Sequence, residues 1–414
     1  MSKAFDTCNF GIILEKLRIY GIRGTQNNWF KSYLSGRYQK VSMGNFLSEQ
    51  ELPINIGVPQ GSQLGLILFL IYVNDLPCAT DFDSILYADD TTALLSDNSI
   101  SSLESRCNFE LKKILQWFEA NKLSLNLKKT KYLIFSPNLS SSPRIDLFFQ
   151  KPNGNIPIEQ IPSSDSKSVR ILGLWLDERL TLKDHVDKIF NKVNKSLFFI
   201  SRVRRTITLE ARKLLYFSYV HSTLIYCLPL FTLLFKTDMN ALCQLQRKAI
   251  RIVYNVKQHT SSGELFHDLG TLPLDLLLEK RILLTMHLIH SYKKPKEIIH
   301  YFPLKSFNHD YDIRLNETFL VPFIKSNKLC RSPIFAFPIL FNKFSHEFKL
   351  IMEYKDFFEK LELHYISLFP KKECRKGRIC KYCNYHEFKN RQQQFGINFE
   401  APEINYLRYN VQTM

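Results

Sequence analysis

The sequence predicts a mixed α+β fold, and three observations carry that reading. Ile85 to Ala88 and Thr91 to Leu95 are apolar runs separated by Asp89 and Asp90, which is the pattern of strand, tight turn, strand. Upstream, the Pro- and Gly-containing turn Gly57-Val58-Pro59-Gln60-Gly61-Ser62 leads into a long apolar helix from about Gln63 to Leu76. Beyond the hairpin, apolar residues recur at helical spacing through most of the chain as far as Tyr292.

The elements follow in order. Asn9 to Tyr20 places Phe10, Ile13, Leu14 and Leu17 on one helical face and stops at Gly21. Gln26 to Leu34 reads as a second helix, ended by Ser35-Gly36. Arg37 to Met43 and Glu51 to Ile56 read as strands around the loop Gly44 to Gln50. Ser62 suits the N-cap of the apolar helix, because its hydroxyl can accept from an early backbone N–H. In Ser99 to Asn121, Leu103, Cys107, Leu111, Leu115 and Phe118 define an amphipathic helix. Tyr132 to Phe135 reads as a strand after the Lys129-Thr130 pair. Pro137 to Ser168 reads as loops with short strands near Ile145 to Phe149. Val169 to Leu176 reads as one strand with Gly173 inside it, and Asp177 to Arg179 as a turn. Helices follow over Leu182–Arg205, Leu209–Cys227, Met239–Tyr254 and Pro273–Tyr292.

Composition bounds the function. The chain has 414 residues, enough for two or three domains, and a formal net charge of +17, which fits a polyanionic partner. Leu214 to Phe235 holds no Asp, Glu, Lys or Arg and is long enough to span a bilayer. His221, Ser218, Ser222, Thr223 and Pro229 make it a buried helix and turn instead, so no membrane contact is expected. The nine cysteines are scattered and no signal peptide is visible, which suggests a reducing, intracellular compartment, cytoplasm or nucleus, without secretion.

Two clusters bear chemistry. Adjacent carboxylates at a hairpin tip repel, and a divalent cation with hard oxygen ligands offsets that repulsion. The other reading of Asp89-Asp90 is a solvated turn, since Asp is a good turn residue. The second cluster is Cys374, Cys380, Cys383 and His386 in a tail rich in Lys and Arg. Four S/N donors with short spacings suit Zn²⁺, and the alternative is free thiols in a basic tail.

Together the turn Gly57 to Ser62 and the hairpin Tyr87-Ala88-Asp89-Asp90 resemble the reverse transcriptases of jockey-like non-LTR retrotransposons (LINE-type). The resemblance covers roughly residues 2 to 290 and implies an α+β polymerase palm, an incomplete antiparallel sheet with helices, followed by a helical thumb. The implied boundaries are a palm at 1–135, a connection with a primer-grip-like strand at 136–180, a thumb-like region at 181–300 and a basic C-terminal region at 301–414. It implies RNA-directed DNA synthesis by two-metal nucleotidyl transfer. Asp89 and Asp90 would hold Mg²⁺ or Mn²⁺, and Phe5, Gln60, Gly61 and Tyr87 would line the nucleotide and template. Leu172 and Gly173 would grip the primer. Lys129 would act at the triphosphate, or belong with Lys128 and Lys131 to a solvated run. Arg202, Arg204 and Arg205 would contact phosphates. The partners implied are an RNA template, a DNA primer and deoxynucleoside triphosphates. Leu66 departs from the pattern, where the family has Pro.

Ser2 to Asp6 match the tail of the motif that carries the family's first metal-binding Asp, which would fall one position before Met1. The expectation is therefore an N-terminally truncated palm, one carboxylate short, with impaired polymerisation. Its alternative is a non-enzymatic nucleic-acid-binding remnant.

Overall fold

The computed structural model describes residues 4–135, 143–152, 154–161, 168–304, 318–323, 329–344 and 346–367. The chain divides into two compact units, Met1–Arg179 and Leu180–Met414.

The first unit opens with a 3-10 turn, Ala4–Asp6, and two helices, α1 (Phe10–Ile19) and α2 (Gly24–Leu34). Asn9 caps α1 by accepting from the Ile12 N–H. Four short strands follow: β1 (Arg37–Gln39), β2 (Ser42–Met43), β3 (Phe46–Leu47) and β4 (Leu52–Ile54). β1 pairs antiparallel with β4, and β2 with β3. The expected pair of longer strands is thus one ribbon interrupted in the middle. Then come α3 (Gln63–Val73), the hairpin β5 (Asp83–Tyr87) and β6 (Asp90–Leu94), and α4 (Ile100–Ala120). β7 (Lys131–Leu133), β8 (Phe148–Lys151), β9 (Gly154–Pro157), β10 (Glu159–Ile161), β11 (Val169–Ile171) and β12 (Leu174–Leu176) complete the unit. β7 and β10 are parallel; β8–β9 and β11–β12 are antiparallel hairpins.

Tyr72 organises the core of this unit. Its buried hydroxyl accepts from the Asn9 N–H at 3.2 Å and donates to the Asn121 carbonyl at 2.6 Å, tying the ends of α1 and α4 to α3. Burial pushes this phenol up to about 12, so it stays a donor. Ile13, Leu17, Leu34, Leu68, Phe69 and Phe118 are buried in the same core cluster.

Three expectations are corrected. The apolar helix ends at Val73, not Leu76, and Leu76–Ala79 is a 3-10 turn; Pro77 has no N–H to extend the helical ladder. Val169 to Leu176 is a hairpin, not one strand, because Leu172 and Gly173 both take positive φ (+47° and +89°). The single antiparallel sheet is replaced, among the described residues, by separate two-stranded sheets, one of them parallel.

The second unit is helical: α5 (Lys183–Val203), α6 (Leu209–Leu215), α7 (Ser222–Ile225), α8 (Lys236–Tyr254), α9 (Gly263–Leu269), α10 (Leu274–Tyr292), α11 (Lys296–Ile299), α12 (Pro333–Lys343), α13 (His346–Lys349) and α14 (Tyr354–Ser367). A π-helical turn, Tyr216–His221, joins α6 to α7. The expected helix Leu209–Cys227 is therefore segmented. It stops where Cys227 turns to φ +55° and Pro229 opens a 3-10 turn, Leu228–Leu233. No helix among the described residues is long and apolar enough to cross a membrane. Gln246 is 1% exposed and knits the unit. Its amide donates to the Leu272 carbonyl at 3.1 Å and accepts from the Leu274 N–H at 2.8 Å, fixing the start of α10 against α8.

Candidate active site

The hairpin β5–β6 presents the carboxylates. Tyr87 pairs with Asp90, which leaves Ala88 and Asp89 as a two-residue loop. Ala88 takes φ +50°, the left-handed region that two-residue hairpin turns require and that glycine fills without strain. Asp89 is half-buried, while Asp90 and Tyr87 are exposed. Asp89 lies in the loop and Asp90 opens β6, so the expected Asp-Asp turn falls one residue earlier and the two carboxylates are sequence neighbours at the end of a strand pair. The base of the hairpin is held from α4: the Thr80 hydroxyl and the Asp81 N–H each donate to Glu110 at 2.8 Å, and Lys113 pairs with it at 2.8 Å. Burial works to raise the Glu110 carboxyl, but Lys113 and the two hydrogen bonds outweigh it and hold the group below its ordinary value.

The second constellation is the turn Gly57–Ser62. Gly57 N donates to Cys8 O and Val58 N to Phe5 O, both at 2.8 Å. Arg37 reaches from β1 and donates to Gly57 O at 2.7 Å. Gly57 and Gly61 both take positive φ, +86° and +82°. Ser62 caps α3 as its sequence position predicts, accepting from the Gly65 N–H at 2.9 Å. A side chain at Gly65 would drive into the Pro59 carbonyl at 2.1 Å, so the turn folds directly onto the first helical turn. The exposed Gln60 amide donates to Asp6 at 2.7 Å, and the Phe5 ring packs against Phe69, tilted by 31° with centroids 4.4 Å apart. The structure therefore brings Phe5, Gln60 and Gly61 together on one framework.

Asp6 meets the Gln60 amide from 54 residues away, a contact that spacing could not reveal. Tyr33 makes another such contact: its hydroxyl lies 3.2 Å from the Ser62 hydroxyl. Lys129 sits exposed in a turn just before β7. Leu172 and Gly173 form the tip of the β11–β12 hairpin, Leu172 exposed. His185 is buried against the Phe231 ring, and burial first, then Lys188, lowers it from the ordinary imidazole value. That is a core histidine. Cys374, Cys380, Cys383 and His386 lie outside the described residues. Among those described, no group of three or more His, Cys, Asp or Glu side chains is gathered as a metal cage.

Residues 1–176 match the reverse transcriptase (RNA-dependent DNA polymerase) family. The chain is homologous to the RNA-directed DNA polymerases of jockey-like non-LTR retrotransposons. It is 27% identical over 250 residues to the RNA-directed DNA polymerase from mobile element jockey of Drosophila melanogaster, covering 58% of this chain and 26% of that protein. It is 25% identical over 289 residues to the probable RNA-directed DNA polymerase from transposon BS of the same fly, covering 65% and 30%. A third relative, the probable RNA-directed DNA polymerase from transposon X-element, is 23% identical over 250 residues. The chain spans between 26% and 30% of the length of these relatives. Reverse transcriptases as a family use divalent metal ions, an RNA template, a DNA primer and deoxynucleoside triphosphates.

Proposed function

We propose that this chain carries the palm and thumb-like part of an RNA-directed DNA polymerase, with the Asp89–Asp90 hairpin as its chemical centre. In this reading residues 1–135 are the palm, 136–180 the connection, 181–300 the thumb-like region and 301–414 a basic C-terminal region. The observation that carries it is the two-residue turn that sets adjacent carboxylates at the end of a paired strand ribbon. Two hard oxygen donors adjacent in sequence, Asp89 in the turn and Asp90 at the start of β6, suit a single Mg²⁺ or Mn²⁺ that completes its shell with water and substrate phosphates. When bound, the ion supplies charge neutralisation at the triphosphate.

The chain's own groups do the rest. Phe5 walls the sugar's 2′ side and favours deoxynucleotides. Gln60, steadied by Asp6, and the backbone at Gly61 position the nucleotide against the template. Tyr87, exposed at the end of β5, is the further residue that this reading assigns to the nucleotide and template. Lys129 neutralises or protonates the leaving pyrophosphate. Leu172 and Gly173, at a hairpin tip, hold the primer end. Phosphates of the RNA–DNA duplex meet a basic surface, so binding is salt-dependent and indifferent to sequence.

In-line displacement with two metals calls for carboxylates that bridge both ions, and two from one tip anchor one ion better than two. The polypeptide 1–414 alone should therefore extend a primer on an RNA template only at trace level with Mg²⁺, and Asp89→Ala should abolish that trace. Rapid extension abolished by Asp89→Ala would keep the centre and refute the impairment. Extension that survives the substitution would refute the assignment of the hairpin. Salt-sensitive duplex binding with no extension at all would make the chain a nucleic-acid-binding remnant.

A further inference from the structure

Helix α5 buries His185, Val186, Ile189, Val193, Leu197 and Ile200 on one side, and packs there against α8. On its other side Lys188, Lys192, Lys195, Phe199 and Arg202 succeed one another at alternating steps of four and three residues, and all five are exposed. With 3.6 residues per turn these positions fall within an arc of roughly 80°, so they form one stripe about 21 Å long. Phe198, 62% exposed, and Phe199, 50% exposed, sit side by side at its C-terminal end. The Arg202 guanidinium lies 4.7 Å from the Phe198 ring centre. From Lys188 to Arg205 the sequence contains no Asp or Glu. Helix amphipathicity needs a polar outer face, but it does not need a run of cations along one stripe, nor two exposed aromatic rings beside it; the acidic residues of α5, Asp184 and Asp187, lie at its N-terminal end.

We infer that the outer face of α5 is a binding site for an unpaired stretch of nucleic acid. The cation stripe selects a polyanion by charge. The rings select among polyanions: a base-paired duplex offers this helix only phosphates and sugars, whereas unpaired bases present π-faces that stack on exposed aromatics. Arg202 over Phe198 extends that stacking platform with a cation–π contact. The stripe's length suits a site of about four nucleotides or more, the lower end of the range for such surfaces. The inference rests on the polymerase reading in naming a strand that such a chain would meet. Binding itself requires neither nucleotides nor metal, so it can be tested apart from extension.

The test uses the full 414-residue chain, without nucleotides or divalent metal. Fluorescence anisotropy compares a 12-nucleotide oligouridylate, an RNA–DNA duplex of the same length, and sedimentation with phosphatidylserine-containing vesicles. The pair Phe198→Leu with Phe199→Leu keeps helix propensity and apolar bulk, and circular dichroism melting checks that it folds. It should weaken oligouridylate binding about tenfold or more while leaving duplex binding within about twofold, on the stacking magnitudes of exposed aromatics. Lys192→Gln with Lys195→Gln should reduce the log–log salt slope for the single strand by about 1.4, from about 0.7 per phosphate contact. Unchanged affinity in the Phe pair, an equal loss on duplex, or capture by vesicles in place of oligouridylate would each overturn the site. Failure of primer extension with these dependences intact would sink the polymerase reading and leave this one standing.

Discussion

Gly57→Ala separates steric necessity from mere turn preference. Gly57 lies at φ +86°, where an L residue costs about 1–2 kcal/mol. An added Cβ would also stand 2.8 Å from the Asp6 carbonyl oxygen, 2.9 Å from its Cα and 3.0 Å from its carbonyl carbon. Those are backbone atoms, and they cannot swing aside as a flexible side chain would. Relief requires the turn and the Ala4–Asp6 segment to part. That movement stretches two bonds across the same seam, Gly57 N to Cys8 O and Val58 N to Phe5 O. Each contributes about 1 kcal/mol net. The expected loss is therefore about 3–4 kcal/mol, or a fall in melting temperature of roughly 10 °C for a unit of this size. Gly61 supplies the control. Its φ is +82°, and nothing lies within 4 Å of a built Cβ. Gly61→Ala should cost only the backbone term, about 1–2 kcal/mol. Urea unfolding of both variants, followed by circular dichroism, measures the difference. Equal destabilisation by the two substitutions would refute the close approach of the turn to Asp6, and with it the account of how Gln60 is oriented.

Two further outcomes follow from the structure. Ala88→Gly relaxes a left-handed residue at φ +50° and should raise stability by about 0.5–1 kcal/mol in the same assay; a loss would mean the Ala88 methyl makes contacts that outweigh its strain. Acid should weaken the helical unit through His221 and His287, both lowered to about 4, His221 by burial and then Arg281, His287 by burial and then His290. Because the native state holds these rings neutral, their stabilisation is complete above the ordinary value of 6.5 and is lost as the pH falls from there towards about 4. His221→Phe should flatten the fall in urea midpoint over that window, and an unaltered pH profile would show that another group titrates.

Much of the site could be read from the chain alone, and for local reasons. Ser62 followed by an apolar run is a capping signal whose geometry is complete within four residues, and Gly65 N–H duly donates to it. The hairpin was legible because two apolar runs flank Asp89-Asp90, but the loop falls one residue earlier, at Ala88-Asp89, and Asp90 already pairs with Tyr87 in the strand. Where reading failed, a local pattern had two solutions. Val169 to Leu176 is apolar enough for one strand, and only the pair of positive φ angles at Leu172 and Gly173 makes it two. The stripe on α5 was legible as a spacing of four and three. Arg202, Arg204 and Arg205 form a cluster along the chain, but around a helix Arg202 belongs with Lys195 and Phe199.

The sequence by itself determined the resemblance of residues 1–176 to a reverse transcriptase, the Gly57–Ser62 turn with its Ser62 cap, and most of the helices as far as Tyr292. Those properties depend on side chains a few positions apart. Tertiary structure alone decided that Asp6 orients Gln60, that Arg37 pins Gly57, and that Tyr72 joins the ends of α1 and α4. Each of these contacts unites residues many positions apart in the chain, through a donor, an acceptor and a distance near 3 Å or less. No periodicity encodes such a meeting, because it is fixed by how whole elements pack.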